Sequence, residues 1–318
     1  MTDWSKFDEA LSRQKTFSDL YFTDDIDEDE RTERLKSFVL SLHAEVTGIC
    51  EAVDYKDHHR TNAPADLPKV LFKSVDAYRY LLAILNLWGF SAEEFTRALS
   101  QKDDCLHFQR ELRHRSPWSP GQPVALFDVD DVLADFRDKF CKFASDRIGV
   151  FVDPMSEEYY ATSTFKKVGV SNDEVFDAFV NGHGFDSLDV IEKYADLMRA
   201  LSKAGCRIQV ITARPAKNLI AYHDTYSWLA RSRLPVDDVV FTPEKYVWLA
   251  GRPYYGKTKI IAVDDSAKHS AEYAKHGVPV IVPAKTYNRE AADIAGVHYV
   301  EDDEDPTGLA LRILGCNV

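Results

Sequence analysis

Cysteine is scarce and scattered in this chain. Its 318 residues include five, at Cys50, Cys105, Cys141, Cys206 and Cys316. The number is odd and no Cys-x-x-Cys occurs, so a disulfide framework and thiolate zinc spacing are excluded and a reducing compartment is expected. Basic residues are also in deficit, 39 Lys and Arg against 52 Asp and Glu, for a formal charge of −13. Proteins that live on nucleic-acid backbone neutralise phosphates with Lys and Arg, so that class is disfavoured, as is an anionic membrane surface. A local basic pocket is still compatible with the total. Long apolar runs are missing too. The longest, Tyr80–Phe90, is too short for a bilayer and contains Asn86. Met1–Lys6 has no apolar signal core, and a cytoplasmic location with no membrane partner is the expectation. Composition is otherwise that of a globular protein long enough for two domains.

Ser116-Pro-Trp-Ser-Pro-Gly-Gln-Pro123 reads as a linker, since three prolines and a glycine suit neither a helix nor a central strand. Before it, residues 1–115 show helical spacing at Leu35, Phe38, Val39, Leu42 and Val46, then through Val75–Leu87, then from Ala92 to Leu112. An all-α domain is expected there, with the acidic cluster Asp24–Glu30 solvating a helix start. After it, residues 124–318 alternate strand with helix, the pattern of an α/β parallel sheet. Between the first two strands lies an insertion of about Arg137–Leu197, far longer than a crossover needs and rich in aromatics.

The chemistry sits at the strand ends. Val124–Phe127 is a short apolar strand that delivers Asp128 and Asp130. Ile208–Ile211 leads into Thr212-Ala213-Arg214, Val239–Phe241 into Thr242-Pro243-Glu244-Lys245, and Ile260–Val263 into Asp264-Asp265-Ser266. Ligands of open α/β sheets bind at the carboxyl ends of the strands, so these groups are expected to converge on one crevice. A single Asp after a strand is commonly the N-cap of the next helix. Two carboxylates one residue apart repel each other, and a bound cation is the usual compensation.

The order Asp-x-Asp, Thr, Lys, Asp-Asp resembles the haloacid dehalogenase-like (HAD) phosphohydrolases. Phe127-Asp-Val-Asp-Asp-Val-Leu-Ala-Asp-Phe136, Phe241-Thr-Pro-Glu-Lys245, Tyr226-Ser-Trp-Leu-Ala-Arg231 and Tyr287-Asn-Arg289 are similar to segments of its 5'(3')-deoxyribonucleotidase branch. The branch has glycine where this chain has Asp131, at a turn where an unusual backbone angle is expected. The resemblance implies a Rossmann-like sheet with a helical cap at about 137–197. It implies a Mg²⁺-dependent phosphomonoesterase acting on a small phosphate substrate, a nucleotide. Asp128 would be the nucleophile and Asp130 the general acid and base. Thr212 and the Ala213 amide would hold phosphoryl oxygens, and Lys245 would neutralise charge there. Asp128, Asp130, Asp264 and Asp265 would form the metal environment, with Asp265 orienting Lys245 or supporting the metal. Lys257 and Lys259 precede the fourth strand at its far edge, which favours Lys245. Arg214 is either a substrate contact or a surface ion-pair partner. Tyr159, Tyr160 and Phe165 lie in a polar, irregular stretch and are the candidates to stack on a base. A polynucleotide 3'-phosphatase would use the same chemistry, and a non-catalytic nucleotide-binding protein is the third reading; the charge opposes the first and the intact motif set the second.

Residues 43–60 and 73–89 resemble the all-α nucleoside triphosphate pyrophosphohydrolases of the MazG and dimeric dUTPase type, which carry Glu-x-x-Glu on one helix and Glu-x-x-Asp on the next. Glu45 and Asp76 match, whereas Gly48 and Lys73 stand where two carboxylates belong; Glu51 and Asp54 lie on another helix face or turn. The resemblance therefore implies a degenerate copy without pyrophosphohydrolase activity, whose surviving role is either homodimerisation through these helices or nucleotide sensing. Glu45, Lys73 and Asp76 are expected to form a buried polar network.

Overall fold

The computed structural model describes residues 5–22, 25–53 and 64–316. The chain divides into two compact units, residues 1–100 and 101–318. The division falls inside a helix, and the proline-rich segment 116–123 lies wholly within the second unit.

The first unit contains α1 (Ser5–Ser18), α2 (Glu28–Glu51), α3 (Leu67–Leu87) and the start of α4 (Ala92–Arg113). Its described residues form no strand. Asp27 begins α2 by accepting a hydrogen bond from the Glu30 amide at 2.8 Å, and Glu28, Asp29 and Glu30 fill the first turn. Carboxylates there satisfy free amides and meet the positive end of the helix dipole. Asp66 caps α3 in the same way, with Pro68 in the first turn, where its missing N–H costs nothing. Leu11, Leu82 and Ala92 form a small core with Phe7 and Leu85. Asn86 Nδ2 ties α3 to the Leu11 carbonyl of α1 at 3.1 Å. Asp24 and Asp54 lie outside the described residues.

Lys73 of α3 pairs with Glu45 of α2 at 2.7 Å. The two side chains keep 36% and 20% of their exposure, so the expected buried network is instead a half-exposed ion pair across two helices. The Lys73 stem runs over Gly48, where a Cβ would stand 3.0 Å from Cδ. The two residues that depart from the four-carboxylate pattern are thus packed against each other.

The second unit is built on six parallel strands in the order β3-β2-β1-β4-β5-β6: β1 (Val124–Phe127), β2 (Arg207–Thr212), β3 (Asp238–Phe241), β4 (Ile260–Val263), β5 (Val280–Pro283) and β6 (Val297–Val300). β1 and β4 are buried throughout, which explains their unbroken apolar sequence. The chain lays β2 and β3 on one side of β1, then crosses back to lay β4 to β6 on the other. The order reverses between β1 and β4, where α/β sheets open a crevice. Phe127 is level with Val210 on one side and Val263 on the other.

Between β1 and β2 come α5 (Phe136–Ile148), α6 (Thr162–Val168), α7 (Asn172–Asn181), a 3-10 turn at Gly184–Ser187 and α8 (Glu192–Lys203). A capping box between Ser171 and Glu174 starts α7. Phe136, Phe140, Phe165, Phe179 and Phe185 form a buried aromatic cluster, edge-to-face in Phe140–Phe165 and Phe179–Phe185. The remaining helices are α9 (Leu219–Ser232), α10 (Lys245–Ala250), α11 (Ala267–Lys275) and α12 (Pro306–Leu314). No helix among the described residues is long and apolar enough to cross a membrane.

Candidate active site

Because β1 and β4 are level, Asp128 and Asp264 leave the sheet side by side, and the Asp128 amide donates to the Val263 carbonyl at 2.9 Å. β3 lies two strands from β1, beyond β2, and the chain after it starts α10 at Lys245. The Lys245 ammonium lies 2.7 Å from both Asp128 Oδ2 and Asp264 Oδ2 and is 1% exposed. Carboxylate oxygens of Asp128, Asp264 and Asp265 can all lie within 4.8 Å of one another. Asp265 makes no bond to Lys245 and belongs to this cluster instead, accepting from the Tyr287 hydroxyl at 2.7 Å.

After β1 the chain turns tightly, with Leu133 and Ala134 amides bonded to the Val129 carbonyl. Asp131 occupies the left-handed region of that turn at φ 56°, a conformation Asp tolerates better than most residues. Its buried carboxylate accepts from the Arg137 amide at 2.8 Å, and its Oδ2 lies 3.1 Å from the Tyr287 hydroxyl oxygen.

Burial raises the Asp128 carboxyl to about 6 against the pull of Lys245, and raises Asp131 to about 7. Burial, then Asp128 and Asp131, push Asp265 well above the carboxylate range. For Asp264, burial is outweighed by Lys245 and His269, and its pKa falls. For Lys245, burial opposes the charge but Asp128 and Asp264 outweigh it, so the ammonium is held above its usual range. One ammonium thus faces several buried carboxylates. A site with this surplus and only hard oxygen donors suits a small divalent cation such as Mg²⁺.

Above the carboxylates is a cavity of 390 Å³. Asp128, Asp130, Ala213 and Arg214 line it, together with the rings of Phe136, Tyr159, Tyr160, Phe176, Phe185 and Tyr287. Thr212 is fully buried beneath them, its hydroxyl accepting from the Arg214 amide at 3.2 Å. Arg214 is not a surface residue: its guanidinium grips Asp130 through Nε and Nη2. Phe165 is 1% exposed and packs on Phe140 inside the insertion, which removes it from the stacking candidates. α6 turns that ring inward, while Tyr159 and Tyr160 precede the helix and reach the cavity.

Phe136, Phe176, Phe185 and Tyr287 were not singled out as cavity residues from sequence, nor was Arg137. The buried Arg137 guanidinium donates to the carbonyls of Ser156, Glu158 and Tyr159 at 2.6, 2.9 and 2.7 Å, and to Pro154 as well. It thereby fixes the loop that carries both tyrosines.

Carboxylates after β1 and β4, a lysine after β3 and a cap-sized insertion after β1 define a HAD-type phosphatase, a hydrolase of phosphomonoesters. The family "5' nucleotidase, deoxy (Pyrimidine), cytosolic type C protein" matches residues 122–307, more than half of the chain, and the chain belongs to it. No curated protein matches the chain. Among solved structures it is similar to a predicted phosphatase from Clostridium acetobutylicum at 17% identity and TM-score 0.44, covering 62% of this chain and 100% of that one. A HAD family hydrolase from Deinococcus radiodurans R1, solved with bound phosphate and sodium, is similar at 15% identity and TM-score 0.43, covering 63% and 100%. At such scores nothing further rests on them.

Proposed function

We propose that this phosphatase is a Mg²⁺-dependent nucleotidase that acts on (deoxy)nucleoside monophosphates through an aspartyl-phosphate on Asp128. The observation that carries the reading is one cavity that brings Asp128, Asp130 and Asp265 together with aromatic rings, with Lys245 bound to Asp128 beside it. The charged groups suit a phosphate with its counter-charge, and the rings suit a flat, weakly polar group such as a base. The family match supports the same reading.

Asp128, Asp264 and Asp265, with Asp130 beside them, would hold Mg²⁺, which when bound supplies charge that lets an anionic nucleophile approach an anionic phosphate. Asp128 attacks phosphorus in line, and the bond from phosphorus to the ester oxygen breaks. Asp130 gives its proton to the departing alkoxide. It then takes a proton from the water that attacks the aspartyl-phosphate, and inorganic phosphate leaves with Asp128 restored. The Ala213 amide holds phosphoryl oxygens above the buried Thr212 hydroxyl, and Lys245 offsets charge building on them. Tyr159 and Tyr160 stack on the base.

Phosphate release from a panel of nucleoside monophosphates and sugar phosphates, with Mg²⁺ and with chelator, tests this directly. Asp128→Asn is expected to abolish release while the fold persists, because an amide is no nucleophile here. Turnover by Asp128→Asn near the wild-type rate would end the aspartyl-phosphate assignment.

For the first unit we propose a degenerate MazG-like bundle that pairs two chains. Lys73 placing a cation on Glu45 where a metal cluster needs an anion supports the loss of activity. Exposed Leu40, Leu67, Leu71 and Phe72 support pairing through α2 and α3, since uncovered apolar rows of this kind usually meet a partner. Light scattering on the whole protein is expected to give a dimer, and Leu71→Glu with Phe72→Glu a monomer. A wild-type monomer at assay concentrations would end the pairing.

A further inference from the structure

We infer that Arg214 is a positioning residue for Asp130 rather than a ligand for substrate, and that Phe185 of the insertion holds it in that task; this rests on the phosphomonoesterase reading above. An arginine just after β2, at the edge of a phosphate site, invites the opposite assignment. The geometry points elsewhere. Nε lies 3.0 Å from Asp130 Oδ2 and 3.2 Å from Oδ1, while Nη2 lies 2.6 Å from Oδ1. On the other side Nη1 donates to Thr225 Oγ1 at 3.1 Å. That hydroxyl gives its own proton to the Ala221 carbonyl at 2.6 Å, so it meets the guanidinium as an acceptor. The Phe185 ring centre lies 4.0 Å from the guanidinium carbon, within cation–π range.

Exposure gives the direction. The Arg214 side chain is 1% exposed and that of Asp130 is 18%. The carboxylate therefore faces the cavity and the guanidinium stands behind it. A phosphate-reading arginine would present its fork to the cavity; this one presents it to a carboxylate that the mechanism needs. The tight turn after β1 fixes the base of Asp130, and Arg214 fixes its tip. A planar fork sets both the distance and the plane of a carboxylate, which a lysine ammonium does not. Proton transfer to a leaving oxygen depends on that aim. Because Phe185 comes from the insertion, the residue that stacks on Arg214 also belongs to the aromatic wall of the cavity.

The test is the leaving-group dependence of kcat/KM over substituted phenyl phosphates, from phenyl to 4-nitrophenyl, with the whole protein and its Arg214→Lys, Arg214→Gln and Phe185→Leu variants. A 4-nitrophenolate departs without a proton, whereas phenolate needs one. If Arg214 aims Asp130, both Arg214 variants lose about tenfold or more on phenyl phosphate beyond their loss on 4-nitrophenyl phosphate, so the slope steepens. Phe185→Leu steepens it in the same direction by less. Both esters are assayed on one preparation, so a partly unfolded variant lowers both equally and leaves the ratio intact. An equal fall on both esters, in Arg214 variants whose far-UV circular dichroism matches wild type, would overturn the inference. An unchanged slope in Phe185→Leu would remove Phe185 from it. Wild-type protein that hydrolyses no ester of the series would overturn the phosphomonoesterase reading and this inference with it, whereas an active wild type confines any failure to Arg214.

Discussion

Lys245→Met tests the centre of the site. Methionine fills most of the same volume and removes the charge. The ammonium it deletes lies 2.7 Å from two carboxylate oxygens on adjacent strands, and both those side chains are nearly buried, Asp128 at 11% and Asp264 at 2% exposure. Removing one partner of a buried ion pair strands the other, at about 3–5 kcal/mol. Here two acids are stranded, and protonation of one on folding limits the loss to the lower half of that range. Urea unfolding at pH 7.5 without divalent cation is the assay. Adding Asp264→Asn in the same chain removes one stranded charge and is expected to recover at least about 1 kcal/mol. Activity is expected to fall about 10²–10³-fold, the usual effect of deleting one group that offsets developing charge. Lys257→Met and Lys259→Met are the controls, because both precede β4 at the far edge of the sheet. The reasoning is refuted if Lys245→Met unfolds at the wild-type midpoint, or if Lys257→Met loses activity while Lys245→Met keeps it.

Arg137→Met removes the donor set that gathers four loop carbonyls, so KM for a nucleotide should rise at least about tenfold with a smaller change in kcat; steady-state kinetics decides, and an unchanged KM would separate that loop from binding. Asp224 is fully buried beside His183, and burial raises its carboxyl to about 6. The folded state therefore binds this proton more tightly than the unfolded chain, whose carboxyl sits near about 3.9, so the group's contribution to stability falls as pH rises from about 4 to about 6. Unfolding of wild type against Asp224→Asn should show this extra slope, about 1.4 kcal/mol per pH unit at most, in wild type alone; parallel curves would refute it. Whole protein carrying Asp128→Asn should release no pyrophosphate from any nucleoside triphosphate with Mg²⁺, and clear release would restore activity to the first unit.

Much of the site was legible because each group follows a strand directly. A four-residue apolar run with Asp on its far side gives its own place in a parallel sheet, and strand register brings Asp128 beside Asp264. Lys245 was separable from Lys257 and Lys259 for the same reason. What sequence did not give are contacts made by side-chain tips across long separations. The partner of Arg214 lies 84 residues away, and Tyr287 meets Asp131 across 156. No local pattern encodes either. The aromatics of the insertion are alike in composition, and helix phase decides which turn inward. Phe165 packs wholly within the insertion, whereas Phe185, equally buried, also borders the cavity. β5 and β6 add to the four strands expected, and they extend the sheet beyond the site.

Asp131 shows how one departure from a familiar pattern is accommodated. Glycine is the expected residue at a left-handed turn, and Asp131 holds φ 56° there. Its carboxylate is not left as an extra charge beside the metal-type cluster. The Tyr287 hydroxyl lies 3.1 Å from Asp131 Oδ2 and 2.7 Å from Asp265 Oδ2. A phenol has one proton and can donate to only one of them. The other contact is a hydrogen bond only if a carboxyl supplies the proton. Burial raises Asp131 to about 7 and holds Asp265 well above the usual carboxylate range, so a carboxyl of this pair can meet the Tyr287 oxygen with a proton. Held this way, the Asp131–Tyr287–Asp265 chain links the turn after β1 to the carboxylate cluster. It also fixes the Tyr287 ring, which packs edge-on against Tyr159 at 5.0 Å on the cavity wall. The added carboxylate therefore works through hydrogen bonding and ring placement: it ties the turn after β1 to the wall that faces the substrate.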